Sequence, residues 1–282
     1  MLVDLHMHTV YSDGTDAVHE LFQRSLDAGI KLMSITDHDN IDAQATAMNC
    51  AQENELTYIP AVEIACKGPG TLDLLGYGIS LTNSNLLSML SSITRSRRER
   101  NIKLIERMKT IGVRISDKET DTLTEENNTG RLHFARLLAE KGYAASLKEA
   151  FDSFLKSGGK AYVERQKQSP EVVMETIRGA GGLSVLAHPL SLGLTSAELV
   201  RELKILIDNG LEGLEVFYKE YDKGTQEELL GIAEKLSLIP TGGSDHHGNN
   251  KPWLTPGVEM PERFVRKFLL SINSVEHWPR MR

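Results

Sequence analysis

The chain has 282 residues, 40% of them hydrophobic and 25% charged, which excludes the disordered, collagen-like and low-complexity classes. Its net charge of −7 excludes a protein that grips long duplex nucleic acid by a general basic surface, because such affinity comes from Lys and Arg displacing phosphate counterions; small phosphorylated substrates stay open. No apolar run approaches the roughly 18 residues of a membrane span, and Met1-Leu2-Val3-Asp4 begins without a charged leader, so a cytoplasmic location without a membrane partner is expected.

Short apolar runs alternate with amphipathic segments along the chain. Residues 2–5, 31–36, 58–64, 72–77, 183–187, 213–217 and 238–241 read as strands, and 18–28, 42–54, 170–180, 197–209 and 225–236 as the helices between them. Repeated βα units predict a parallel sheet, and seven strands without obvious edge chemistry predict a closed or nearly closed barrel. The rhythm breaks over 80–162, where a long helical pattern at 85–111, an acidic loop at 117–126 and two further helices read as a helical insertion. The expected organisation is therefore a barrel domain of residues 1–79 and 163–282 carrying an insertion domain of residues 80–162. Arg95, Arg97, Arg98 and Arg100 fall on the long helix and read as a solvated basic face or, more sharply, as a phosphate-facing rim, a reading that the interleaved Glu99 and Glu106 weaken. Cys50 and Cys66 have no CxxC spacing and read as plain thiols.

The histidines and carboxylates concentrate at the C-terminal ends of the predicted strands, where the loops of an α/β barrel converge. His6 and His8 end the first strand, and a period of two puts both imidazoles on one face, with Asp4 placed to orient a ligand from behind. Tyr11-Ser12-Asp13-Gly14 follows as a turn. Thr36-Asp37-His38-Asp39 ends the second strand and Glu63 the third, His188-Pro189 ends a buried run, and Gly242-Gly243-Ser244-Asp245-His246-His247-Gly248 ends the last. Imidazoles and carboxylates without thiolates suit Mn²⁺, Zn²⁺ or Fe²⁺ better than a soft metal. Phe217-Tyr218, at another strand end, either packs or stacks on a nucleobase.

D-x-H-x-H-T-x-x-S-D-G followed by T-D-H-D, a strand-end Glu, A-H-P and G-S-D-x-H-G resembles the PHP (polymerase and histidinol phosphatase) metallophosphoesterases over essentially the whole chain. Within them it is most similar to the RNase AM branch, which removes phosphate from 3′,5′-nucleoside bisphosphates and trims short 5′-phosphorylated RNA from the 5′ end. The resemblance implies a distorted (β/α)7 barrel, TIM-like, with a helical insertion. It also implies two or three divalent ions, Mn²⁺ favoured over Zn²⁺, Fe²⁺ or Mg²⁺. His6, His8, Glu63 and Asp245 match the ligands of one ion, Asp13, His38 and His247 those of another, and Glu63 with His188 those of a third. His246 falls where the motif often has an aromatic residue, so His247 takes the ligand role. Asp73 stands where the branch usually has a ligating His, and a carboxylate there favours harder cations. Gly130-Arg131-Leu132-His133 matches a Gly-Arg-x-His motif of the branch. It implies Arg131 as a phosphate fork and His133 as a second phosphate contact or a proton donor; apart from the motif, Tyr218 is expected to contact substrate if the Phe217-Tyr218 pair stacks rather than packs.

The expected activity is hydrolysis of phosphate esters of nucleotides or short RNA, with divalent ions activating water. A phosphatase of small metabolites such as histidinol phosphate, an amidohydrolase, and an inactive metal-binding module are the alternatives. His19 and His277 lie in helical and tail contexts and read as non-catalytic.

Overall fold

The structure, a computed structural model, describes residues 1–125 and 129–273. Two compact units divide the chain, Met1–Met89 with Lys167–Arg282 and Leu90–Gln166.

The first unit opens with β1 (Leu2–Asp4), α1 (Val18–Asp27), β2 (Leu32–Met33), α2 (Gln44–Glu53) and β3 (Thr57–Tyr58), then β4 (Ala61–Cys66) and β5 (Leu72–Tyr77). Helix α1 shows why such segments fold: Glu20 accepts the Ala17 N–H at 2.8 Å to cap its start. Val18, Leu21, Phe22 and Ser25 recur at helical spacing and are buried. The strand expected over 58–64 is two strands, because Pro60 between them has no N–H to give a ladder.

Helix α3 (Ser84–Thr110) leads into the second unit, which continues with α4 (Asp117–Glu125), α5 (Arg131–Glu140) and α6 (Leu147–Ala150). Leu104, Met108, Phe134, Leu138 and Leu155 form its own apolar core. The acidic loop expected at 117–126 is helical through Glu125; Ser116 accepts from the Glu119 N–H while Glu119 accepts from the Ser116 N–H at 2.7 Å, a reciprocal cap.

The first unit resumes with α7 (Pro170–Gly179), β6 (Leu183–Leu186), α8 (Ser196–Asp208), β7 (Gly213–Tyr218), α9 (Lys223–Lys235), β8 (Ile239–Gly243), β9 (Val258–Glu259) and α10 (Glu262–Asn273). Its strands pair as two sheets, β3-β2-β1-β9 and β4-β5-β6-β7-β8. This mixed α/β arrangement corrects the parallel sheet expected from the sequence, since β5 runs antiparallel to both β4 and β6, and β9 antiparallel to β1. The reason is local: β4 and β5 are joined by residues 67–71, far too short for the crossover that a parallel pair needs. The ladder is not one continuous ring, yet backbone bridges join the sheets at two seams, Met7 to His246 and His38 to Glu63. Among the described residues, no helix is long and apolar enough to cross a membrane.

Close packing at the first seam fixes the ends of β1 and β8. A methyl group added at Gly243 would come 2.4 Å from His6 Cβ and 2.6 Å from its backbone nitrogen, whereas one added at Gly231, on the exposed side of α9, meets nothing within 4 Å. Gly243→Ala is expected to lower unfolding free energy by about 1–3 kcal/mol through overpacking. Gly231→Ala should raise it by about 0.5–1 kcal/mol through reduced backbone freedom in the unfolded chain. Urea denaturation of the three proteins checks both signs.

Candidate metal centre

The residues after β1 form the floor of the site. His6 and His8 are both buried. Asp4 does not touch either imidazole, which corrects its expected role: its carboxylate accepts from the backbone N–H groups of His6, Ser244 and Gly257 and from Ser244 Oγ, fastening β1 to the chain after β8. The group behind His6 is Glu215 of β7, whose Oε1 lies 2.9 Å from His6 Nδ1 and whose Oε2 accepts the His188 N–H at 2.6 Å. Holding Nδ1 leaves His6 Nε2 facing Glu63 at 3.2 Å. Asp37 shapes the next turn by accepting from Thr9 N at 2.8 Å, Thr9 Oγ1 at 2.6 Å and Ser12 Oγ at 2.6 Å, which presents Asp13.

Three overlapping groups of ligand atoms result: His8, Asp13, His38 and His247; His6, His8 and Glu63; and Glu63, Asp73 and His188. Within each, the atoms lie within 4.8 Å of one another. Asp245 Oδ1 sits beside them, 3.5 Å from His6 Nε2 and 3.2 Å from His8 Nε2. Glu63 is the hub, with Oε2 3.2 Å from His6 and His8 and 3.1 Å from His38, and Oε1 3.0 Å from His188. His247 Nε2 is 3.2 Å from Asp13, and its Nδ1 donates to the Asp245 carbonyl at 2.7 Å. His246 turns away, with Nε2 2.9 Å from Asp16 and Nδ1 on the Leu254 carbonyl. Among the described residues the buried Asp73 Oδ1 has no hydrogen-bond partner, and His8 Nε2 faces two carboxylate oxygens at once, Glu63 Oε2 and Asp245 Oδ1. Nitrogen and oxygen donors converging with an orphaned carboxylate oxygen among them fit hard or borderline divalent cations.

The electrostatics have the same sense. Burial works against ionisation of Glu63, but His38, His6 and His188 outweigh it and hold the carboxyl well below its ordinary value. Burial likewise disfavours charged His6, yet Glu215, Glu63 and Asp245 raise its pKa well above 6.5. His188 is pushed up to about 9, its burial overcome by the hydrogen bond and charge of Glu63 and by Asp73 and Asp245. Asp73 is raised, by burial first and the Glu63 charge second. Protons on the imidazoles thus balance the carboxylates.

The model of the PHP domain matches residues 4–223. The chain belongs to the PHP family. A 5′-3′ exoribonuclease Rnm from Escherichia coli (strain K12) is 29% identical over 269 residues, 92% of each chain. A 3′,5′-nucleoside bisphosphate phosphatase from Chromobacterium violaceum is 28% identical over 252 residues, 87% of each. Among solved structures, one from Bifidobacterium adolescentis described as a metal-dependent phosphoesterase superposes with a TM-score of 0.81 at 29% identity, covering 95% of both chains.

Other residues of this PHP protein fare differently. Phe217 packs against Phe264 of α10 with ring centroids 5.8 Å apart, so it is not a stacking platform. Tyr218, expected to contact substrate, is buried and packed on Tyr221, and its hydroxyl donates to Asp245 Oδ2 at 2.8 Å. His19 lies 3.2 Å from the Cys50 thiol, which burial keeps protonated by raising its pKa; His277 is outside the described residues. In the Leu90–Gln166 unit, Arg131 and His133 open α5, with His133 Nδ1 accepting the Gly130 N–H at 3.1 Å. Arg95 and Arg98 are exposed, but Arg100 is buried, correcting the expected solvated face. Among the described residues its Nε and Nη1 have no hydrogen-bond partner. Burial and the charges of Arg97, Arg165 and Arg131 push its pKa down to about 9.

Proton and metal compete for the same imidazoles, which sets a pH dependence. The raised pKa of His188 means that its proton stabilises the metal-free fold fully below pH 6.5, and that this contribution is lost as pH rises through about 9. Cations need the neutral ring. Between pH 6.5 and 9 the metal-free protein should therefore lose thermal stability while Mn²⁺ affinity rises, by up to about tenfold per pH unit for each proton released. Thermal melts and Mn²⁺ titrations in weakly buffered solution measure both, and pH-independent affinity without proton release would remove His188 from the ligand set.

Proposed function

We propose that this PHP protein is a metal-dependent phosphoesterase of nucleotides, acting on 3′,5′-nucleoside bisphosphates or AMP-like nucleotides and on short 5′-phosphorylated RNA from its 5′ end. The observation that carries this reading is the hub at Glu63, a buried carboxylate shared by two of the three ligand groups, beside Asp73 with an orphaned buried Oδ1. The names of the relatives support the nucleotide class. In this reading the strand ends converge as in a distorted (β/α)7 barrel.

His6, His8, Glu63 and Asp245 would hold one ion; Asp13, His38 and His247 a second; Glu63, Asp73 and His188 a third. Divalent ions held by these residues would supply acidification of a water and neutralisation of phosphate charge. Mn²⁺ is the proposed ion because imidazoles supply about half of the donors, and Mg²⁺ prefers oxygen. Glu215 keeps His6 Nε2 and the His188 backbone aimed inward, and Tyr218 fixes Asp245 through Oδ2 so that Oδ1 faces the imidazoles. The second unit enters on chemistry. Arg131 offers a planar fork to phosphate oxygens, and the buried Arg100 has donors that an anion would satisfy. His133, with Nδ1 engaged as an acceptor, presents Nε2 as its donor nitrogen.

A screen of metals against substrates tests the reading. Excess chelator should abolish turnover, and Mn²⁺ should restore it at least as well as Mg²⁺. Adenosine 3′,5′-bisphosphate, AMP and short 5′-phosphorylated RNA should be hydrolysed in preference to histidinol phosphate, and amides not at all. Full activity in chelator would overturn the metal-dependent assignment, and a preference for amides the phosphoesterase assignment.

Arg131 can be tested separately. Arg131→Ala should lose about tenfold or more in kcat/KM on the bisphosphate while retaining most of its activity on p-nitrophenyl phosphate, with Arg131→Lys recovering part of the loss. Equal losses on both substrates would assign Arg131 to folding instead.

A further inference from the structure

We propose that Trp253 is a stacking platform for the nucleobase of the substrate, an inference that rests on the nucleotide phosphoesterase reading above. Its side chain is among the most exposed large apolar groups described, at 66%, yet it is held in place. The indole N–H donates to Glu220 Oε1 at 3.2 Å, and Glu220 Oε2 lies 3.2 Å from the hydroxyl of Tyr218. That hydroxyl donates to Asp245 Oδ2. Three successive polar contacts therefore connect the exposed ring to a candidate metal ligand.

The segment carrying Trp253 is fastened on both sides. Lys251 places Nζ on Asp245 Oδ2, and Leu254 is buried, its carbonyl accepting from His246. Lys219, directly after β7, donates to Thr255 O at 2.6 Å, Thr255 Oγ1 at 2.9 Å and Gly257 O at 2.9 Å. An indole pinned by its edge on a stapled segment keeps its face in water at the end of the unit where the ligands gather. Such a face gains little from solvent, and a flat aromatic ligand covers it without ordering a mobile side chain. A nucleobase is that ligand when the phosphate of the same molecule sits among the metals. Stacking would be tolerant of base identity, because every base presents a π-face.

The test compares ligands differing only in the base: AMP and ribose 5-phosphate, each as its non-hydrolysable phosphonate, bound to the Mn²⁺-loaded protein. The chain has two tryptophans, Trp253 and Trp278, so a Trp278→Phe background reports Trp253 fluorescence alone. The AMP analogue should quench that fluorescence and the ribose analogue should not. Trp253→Ala should raise the Kd of the AMP analogue by about tenfold or more and that of the ribose analogue by less than about twofold, with Trp253→Phe recovering part of the difference. Equal Kd changes for both analogues, no change for either, or quenching by both would overturn the stacking role. Turnover of p-nitrophenyl phosphate by the wild type distinguishes the two levels. If it is hydrolysed while the base contact fails, only this inference falls; if no phosphate ester is hydrolysed with any metal, the reading beneath it falls as well.

Discussion

A carboxylate stripped of water and surrounded by four imidazoles is the constraint on which the rest of this structure depends. Glu63 is buried, and burying an ion is costly unless charge and hydrogen bonds replace its water. Its two oxygens lie 3.0–3.2 Å from imidazole nitrogens of His6, His8, His38 and His188, contributed by three separate stretches of chain. Glu63 also sits at a seam between the two sheets, its carbonyl accepting the Asp39 N–H at 2.7 Å. The other seam joins Met7, which lies between the two floor imidazoles, to His246, which lies between Asp245 and His247. Both joins between the sheets thus fall on ligand-bearing segments. The centre and the closure of the fold are built from the same residues, so a change that loosens one loosens the other.

That coupling explains the backbone conformations found there. Asp39, His188 and Asp245 adopt φ of 55°, 29° and 54°, a region that side chains other than glycine occupy at a cost of about 1–3 kcal/mol each. Each is held by a hydrogen bond from its own N–H: to the Glu63 carbonyl, to Glu215 Oε2 and to the His6 carbonyl respectively. Glycine would remove the steric cost at positions 188 and 245 but would also remove a candidate ligand atom. Glu215 has a double task, since one carboxylate orients the His6 ring and the backbone of His188. Removing it would release two candidate ligands together.

What the sequence made legible was whatever depends on neighbours along the chain. The period of two in His6-x-His8, the placement of Asp245 just past β8 and the amphipathic face of α1 are local patterns, whereas Glu63, expected at a strand end, lies inside β4. Glu215 was not legible, because it reads as one polar interruption in the apolar strand Gly213–Tyr218 and meets His6 from 209 residues away. The same limit reversed the role of Asp4, whose partner Ser244 lies 240 residues on. The direction of β5 was legible and missed: Lys67-Gly68-Pro69-Gly70-Thr71 is a turn, and a turn of that length joins antiparallel strands. The acidic character of 117–126 obscured its helix, although Ser116 and Glu119 have the spacing of a reciprocal cap. Arg100 was misread because its helix carries charge on several faces, so periodicity alone could not say which arginine turns inward.

The net charge of −7 hides two opposite electrostatic demands, because a sum over the chain erases their separation. In the first unit, Asp13, Glu63, Asp73, Glu215 and Asp245 crowd together and draw protons onto His6, His188 and His247, the state of a centre that requires cations. In the Leu90–Gln166 unit, burial and the like charges of Arg97, Arg165 and Arg131 weaken the hold of Arg100 on its own proton. Neither demand is met well by water, which is excluded from Glu63 and largely excluded from Arg100. Divalent ions would neutralise the carboxylates of the first unit and leave a positive charge there that attracts a phosphate ester. An acidic chain is therefore no obstacle to a phosphorylated substrate when much of its acidity is committed to holding cations.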